Sequence, residues 1–267
     1  MIFGEKHLIG LAVIVALATI FFLVMHFFVN KRGERARVWA LRGLALFLLF
    51  TEFVKYIMTL HGDGVSSGSI GIALFPFQLC HMPLFLFPFV AFGKSKFSQF
   101  LKPGAFIIGM LAGTLTLLYP SNVLDASIGW LDNGGLNFPS ISFIYHGTMI
   151  VFAIYMLVSK VYKFKASDSL KALAVLCSLA AVAITLNAII PGADFFMLGS
   201  GVGNPLNFIV ASAGHAVYLL TMFGMAVLLI ALVYSYHITK WIIDKCKARK
   251  KIATPAATGP KDNNKVE

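Results

Sequence analysis

Charge is what this sequence has least of. Asp, Glu, Lys and Arg make up 12% of its residues, where a soluble domain carries about 25%. The shortage falls in long runs. From His7 to Asn30 no residue bears a fixed charge, about 36 Å of helix and enough to cross a hydrocarbon core of about 30 Å. Hydrophobic residues reach 58% and the mean hydropathy is +0.83. So little charge excludes a soluble domain and implies an integral membrane protein.

Cysteine is scarce too. Cys80, Cys177 and Cys246 stand too far apart for a C-x-x-C redox or zinc motif. Two fall in apolar runs and one in a basic tail, so no disulfide is expected. Cys177 reads as a packing residue. No internal repeat is visible, which argues against a transporter of duplicated halves. The N-terminus lacks signal-peptide character: Lys6 is its only nearby cation, and the run that follows exceeds an h-region of about 7–15 residues. A retained first span is expected.

The cations that exist are placed with system. The net charge of +11 does not indicate a nucleic-acid partner, because the positive residues sit in short clusters between apolar runs, as topology signals do. The expected architecture is all-α, a bundle of about seven transmembrane helices. The spans lie near 7–30, 38–60, 70–93, 103–120, 138–160, 169–190 and 205–237. Lys31, Arg32, Arg35 and Arg37 occupy loop one; Lys94, Lys96 and Lys102 loop three; Lys160, Lys163 and Lys165 loop five. The tail adds Lys240, Lys245, Lys247, Arg249, Lys250 and Lys251. Even-numbered loops hold no Lys or Arg, only Asp63, Asp125, Asp132 and Asp194. This alternation predicts the N-terminus outside and the C-terminus inside. Residues 1–239 form the membrane domain, 240–251 a basic juxtamembrane segment, and 252–267 a disordered tail. Gly109 and Gly113 make a G-x-x-x-G suited to close helix packing, and "GSGVGN" at 199–204 reads as a connector.

Polar side chains inside spans are functional candidates by default. Counted by helical rise, Glu52, Cys80, His81, His146 and His215 fall about 10–15 Å below the outer boundary. Asn187 lies one turn from it. A polar cavity opening toward the external leaflet is expected. Glu52 and Lys55, three residues apart, read as a pair, compatible with lining it. His215 is either a cavity residue or an interhelical hydrogen bonder. His81 is expected to turn away from Cys80, in a packing or headgroup role. Pro76 and Pro83 should bend or unwind helix three around Cys80, and Gly147 beside His146 allows close approach. A base beside a thiol is what nucleophilic catalysis requires. No cofactor is expected. A zinc site on His81, His146 and His215 is disfavoured by the expected direction of His81.

"FPFQLCHMPLFL", "FIYHGTMIVF" and "LNAIIPGADFFMLGSGVGNPL" resemble, in order, the landmarks of the YwaF-like bacterial integral membrane proteins. Those are similar in turn to a eukaryotic family implicated in making polyunsaturated ether phospholipids by acyl transfer. A more distant likeness is to androgen-induced hydrolases of fatty-acid esters. The resemblance covers roughly residues 40–235. It implies Cys80 as acyl-accepting nucleophile, His146 as base and Asn187 as a polar residue near the site. Asp194 and Phe195 stand where the bacterial pattern reads Asn-Tyr.

The leading expectation is therefore a Cys80/His146 lipid acyltransferase or transacylase, multi-pass in the cell membrane. Phospholipid or lysolipid would be its substrate and partner. Asn187, Gln78, Glu52, His215 and Asp194 are candidates for oxyanion or substrate binding, with helix-three amides as further oxyanion donors. A lipid-ester hydrolase using the same pair is the first alternative. A small-solute binding or transport protein is the second, and a scaffold indifferent to Cys80→Ser the third.

Overall fold

The computed structural model describes residues 4–61, 75–119, 137–200 and 204–253. Among these, every regular element is a helix. Helix α1 (Glu5–Val24) continues through a π turn (Met25–Val29) and a 3-10 turn (Asn30–Arg32). Then come α2 (Glu34–Leu60), α3 (Met82–Phe92, entered by a 3-10 turn at Leu79–His81) and α4 (Lys96–Leu118). They are followed by α5 (Phe138–Val158), α6 (Asp168–Ile189), a 3-10 turn (Phe195–Met197), α7 (Phe208–Ala213) and α8 (His215–Ala253). Local chemistry marks the starts. Ser95 accepts the Ser98 N–H ahead of α4, and Asn137 accepts that of Ser140 ahead of α5, each satisfying a donor with no helical partner.

Six helices among the described residues are long and apolar enough to cross a membrane. Of the expected third span, 70–93, the described residues begin at 75 and are helical over Leu79–Phe92, about 21 Å against a core of about 30 Å. Its prolines explain the difference. Gln78 is extended (φ −80°, ψ 159°), and the helix opens just beyond it. The α-helix proper begins at Met82 after the 3-10 turn, so Pro83 lies in its first turn, where a missing N–H removes no helical bond. Of the bend or unwinding expected around Cys80, the structure shows the second: backbone extended at Gln78 and a 3-10 turn over Leu79–His81 before the α-helix. The expected seventh span is also divided. Gly214, at φ 88°, ends α7, and α8 then runs straight through the basic segment to Ala253. Asp63, Asp125, Asp132 and residues 254–267 lie outside the described residues.

The centre of the bundle is the α4–α5 pair with α3 against it. A Cβ on Gly113 would lie 2.8 Å from the His146 carbonyl oxygen, and one on Gly109 3.2 Å from that of Met149. The G-x-x-x-G thus packs as expected, backbone against backbone. Phe87 of α3 stacks on Phe152 of α5 with ring centroids 3.8 Å apart. Cys177, expected to pack, is exposed on α6.

The basic connections share one end. Arg42 of α2 donates to the Ala91 carbonyl at 3.2 Å, near the end of α3. Lys102 of α4 donates to the Val161 carbonyl at 2.8 Å, just past α5. The Arg37 charge acts on Tyr155, in the last turn of α5.

Candidate functional site

Glu52 is the hub of a buried polar cluster. One carboxylate oxygen accepts from Lys55 Nζ at 2.8 Å, and the other meets His81 Nε2 at 3.2 Å. Glu52 is 3% exposed and Lys55 7%, so the ions lie where an unmatched charge would be costly. Lys55 Nζ also sits 4.5 Å from the centroid of the Tyr145 ring, an additional favourable contact for a desolvated cation.

His81 corrects an expectation. It faces into this cluster, where it closes the 3-10 turn of residues 79–81 and meets Glu52 of α2. The Gln78 backbone N–H donates to His81 Nδ1 at 3.2 Å. Nδ1 is thus the acceptor, and the proton sits on Nε2, donated to Glu52. The expected direction of His81 no longer argues against a zinc site. Among the described residues, however, no three His, Cys, Asp or Glu side chains converge, and His215 is engaged elsewhere.

Cys80, beside His81, is partly buried and unpaired. Its carbonyl oxygen accepts from the Tyr145 hydroxyl at 2.8 Å. The amides of Leu79 and Cys80 open the helix with no carbonyl behind them to bond. They give the thiol's surroundings the anion-favouring character of a helix N-terminus.

His146 is fixed from one side. Its Nδ1 lies 2.6 Å from the Ser142 carbonyl oxygen. A carbonyl only accepts, so Nδ1 carries the proton and Nε2 bears the lone pair. Nε2 is buried with no hydrogen-bond partner. No hydrogen bond joins His146 to Cys80, but Lys55 and Glu52 act electrostatically on both. Gly147 admits Ile14 of α1, whose methyl group would stand 2.7 Å from an added Cβ, so the close approach there is a helix rather than a ligand.

The other expected residues do a different job. Gln78 accepts the Phe196 N–H at 3.0 Å and donates to the Asp194 carbonyl at 3.1 Å. Asn187 accepts the Phe195 N–H at 2.7 Å and donates to the Phe195 carbonyl at 3.1 Å. The Asp194 carboxylate accepts from the Gly199 and Ser200 amides. His215 bonds the Leu198 carbonyl oxygen at 2.9 Å. All four brace one turn. Phe196 (φ 58°) and Met197 (φ 55°) are left-handed there, a conformation costing about 1–2 kcal/mol per residue, and these bonds offset it. The single expected polar layer is therefore two groups, a cluster around Glu52 and a braced turn, with Gln78 linking them.

The model of the TMEM164 family matches residues 2–234. The chain belongs to the TMEM164 family. No curated protein and no solved structure matches it. The match agrees with the expectation of one membrane-protein family across the whole bundle. The likeness to YwaF-like proteins and ester hydrolases rests on the short motifs alone.

In this TMEM164-family protein, two members of the cluster are not singled out by the sequence: Tyr145 and Tyr56. Tyr56 stands four residues after Glu52, on the same face of α2. Its hydroxyl is buried without a partner and lies within electrostatic reach of Glu52 and Cys80. That i, i+4 spacing was the available signal. For Tyr145 the signal was its place beside His146.

Proposed function

We propose that this TMEM164-family protein is a cysteine-dependent lipid acyltransferase of the cytoplasmic membrane. The observation carrying the reading is the His146 ring: Nδ1–H is held by a carbonyl, and a bare Nε2 is buried, with Lys55 and Glu52 within electrostatic reach of both His146 and Cys80. Nε2 takes the thiol proton, and Sγ attacks the acyl carbonyl of a phospholipid ester. The tetrahedral oxyanion draws on the opening amides of α3 and on the Tyr56 hydroxyl. Asn187 and Gln78 are excluded from that task by their bonds to the turn. Collapse gives a Cys80 thioester, and the departing lysolipid oxygen takes its proton from the imidazolium. An acceptor lysolipid hydroxyl then gives a proton to Nε2 and attacks the thioester, releasing the new phospholipid and Cys80. Water in place of the acceptor makes the same site a hydrolase. Catalytic hydrogen bonds often close only with substrate present, which is consistent with the open Cys80–His146 pair.

We also infer seven crossings, N-terminus outside. Three basic connections share one end, and α3 runs antiparallel to α2: Arg42 meets Ala91, and ten residues along each helix Glu52 meets His81. Among the described residues, the helical part of the third crossing, Leu79–Phe92, is then its inner part.

The test is labelling of Cys80 by a lipid-like ester that leaves an acyl group on sulfur, read by intact-protein mass. Wild type should acylate. Cys80→Ser should give no thioester, and His146→Gln should slow acylation at least a hundredfold. Unchanged acylation in His146→Gln would refute the pair. Radiolabelled phospholipid with and without lysolipid then separates transfer from hydrolysis.

A further inference from the structure

A second polar cluster lies at the other end of α5, away from Cys80. Asn30 Oδ1, Arg37 Nε and the Tyr155 hydroxyl are each buried and make no hydrogen bond. They come from three places: the 3-10 turn after α1, the first turns of α2 and the last turn of α5. Tyr155 is fully buried. Phe21 packs edge-on to its ring at 5.5 Å, and the Arg37 charge reaches it. Buried polar atoms in native structures nearly always have partners, so three orphans in one place need an explanation.

The same three helices enclose an apolar groove of about 430 Å³, within the size range of ligand pockets. Its lining includes Ile14, Phe21 and Met25 of α1 and its extension, Ala40 and Gly43 of α2, and Val151 of α5. From Ile14 to Met25 it follows α1 for about 16 Å. Each helix then passes from apolar lining to an orphan polar atom within about a turn and a half: Met25 to Asn30, Ala40 to Arg37, Val151 to Tyr155. The groove thus runs toward the cluster, whose three residues lie just beyond its lining. At about 100° per residue, the α5 lining residues Ile144, Gly147, Thr148 and Val151 lie about 100–160° around the helix from His146. The groove does not belong to the Cys80 site.

We propose that this groove is a structural phospholipid site. One acyl chain lies between α1, α2 and α5, and the phosphate is held by Arg37 and Tyr155. The donors match: an Arg N–H and a tyrosyl O–H are both suited to phosphate oxygens. Asn30 Oδ1 can only accept, which selects a headgroup carrying a hydroxyl or an ammonium. Charge agrees as well. Lys31, Arg32, Arg35 and Arg37 stand against the single carboxylate of Glu34 in this connection, so an anionic lipid is favoured.

The experiment is native mass spectrometry of the detergent-purified full chain with three probes: dioleoylphosphatidylglycerol, dioleoylglycerol and glycerol phosphate. Wild type should retain phosphatidylglycerol at least tenfold better than either fragment of it. Arg37→Gln and Tyr155→Phe should each lose about tenfold in retention, the scale of one charge-assisted bond. Gly43→Leu is the folding control. A Cβ at Gly43 meets nothing within 4 Å, so the protein should melt like wild type while the larger side chain fills the groove and abolishes retention. Equal retention of phosphatidylglycerol by wild type, Arg37→Gln and Gly43→Leu would overturn the proposal. So would glycerol phosphate binding as well as the whole lipid.

Discussion

Glu52→Gln separates the buried ion pair from the rest of its cluster. The amide oxygen still accepts from His81 Nε2, so that contact survives, while the amide NH2 is turned against the Lys55 ammonium. At 2.8 Å two unit charges attract by about 6 kcal/mol at an effective dielectric constant of about 20, and desolvation of both ions offsets much of that. Removing one partner leaves Lys55 charged and nearly dry, a change that costs about 3–5 kcal/mol. For a chain of this size that is a fall in Tm of about 6–20 °C. Lys55→Met in the same background removes the orphan. The double variant should recover most of the loss, because a buried pair replaced by apolar groups is often neutral or better. The assay is thermal melting of the four proteins of the cycle in one detergent. Additive single losses, with a coupling below about 0.5 kcal/mol, would refute the pair. A stable double variant whose Cys80 no longer acylates would show that the charges serve the chemistry and not only the fold.

Other perturbations read different parts of the structure. Asn187→Leu leaves the Phe195 N–H unpaired, while the Phe195 carbonyl keeps its bond from the Leu198 N–H; it should lower stability by about 1–3 kcal/mol, visible in melting and in faster proteolysis of the 194–200 turn. Burial, then the Tyr234 hydroxyl at 2.6 Å, hold the Tyr162 phenol above its usual range. Its neutral form therefore stabilises the fold fully below about pH 10, and that contribution fades as pH rises beyond it; Tyr162→Phe should flatten the alkaline limb of a Tm-against-pH curve. In a chain without native cysteines, His61→Cys and Tyr119→Cys should react with an impermeant maleimide on intact cells. Lys94→Cys and Lys163→Cys should react only after lysis. Reaction of His61→Cys and Lys94→Cys from one side would mean that the third segment does not cross.

Much of this was legible in the sequence because membranes simplify the problem. Apolar length marks helices, and clustered Lys and Arg mark one end of the bundle, where Arg42, Lys102 and Arg37 do bring the connections together. Glycine spacing marked the α4–α5 contact for the same reason: only a missing side chain lets two backbones approach. What could not be read was direction around an axis. The expected direction of His81 rests on its angle to Cys80 alone; a 3-10 turn keeps the two about 120° apart, and what His81 meets is Glu52 of α2. Depth along a helix likewise says nothing about whether a polar atom is already spoken for. Asn187 and His215 belong by helical rise to the expected layer, yet their hydrogen bonds go to the backbone of a turn remote in sequence from Cys80.

Gln78 shows why the two polar groups cannot be treated apart. Its side chain clamps the Asp194–Phe196 turn, while its own backbone N–H fixes the tautomer of His81, which in turn donates to Glu52. Two residues on is Cys80. A movement of the left-handed turn is therefore transmitted through one residue to the start of α3, where both the thiol and the opening amides are set. Two covalent facts hold this arrangement in place. Pro76 precedes Gln78 in the extended stretch, and Pro83 can sit in a first turn but would cost a helical bond anywhere later. Together they confine the helix start to the residues between them. A polar segment inside an apolar run, which would be a liability in a continuous span, is thus what sets the level of the sulfur in the bundle.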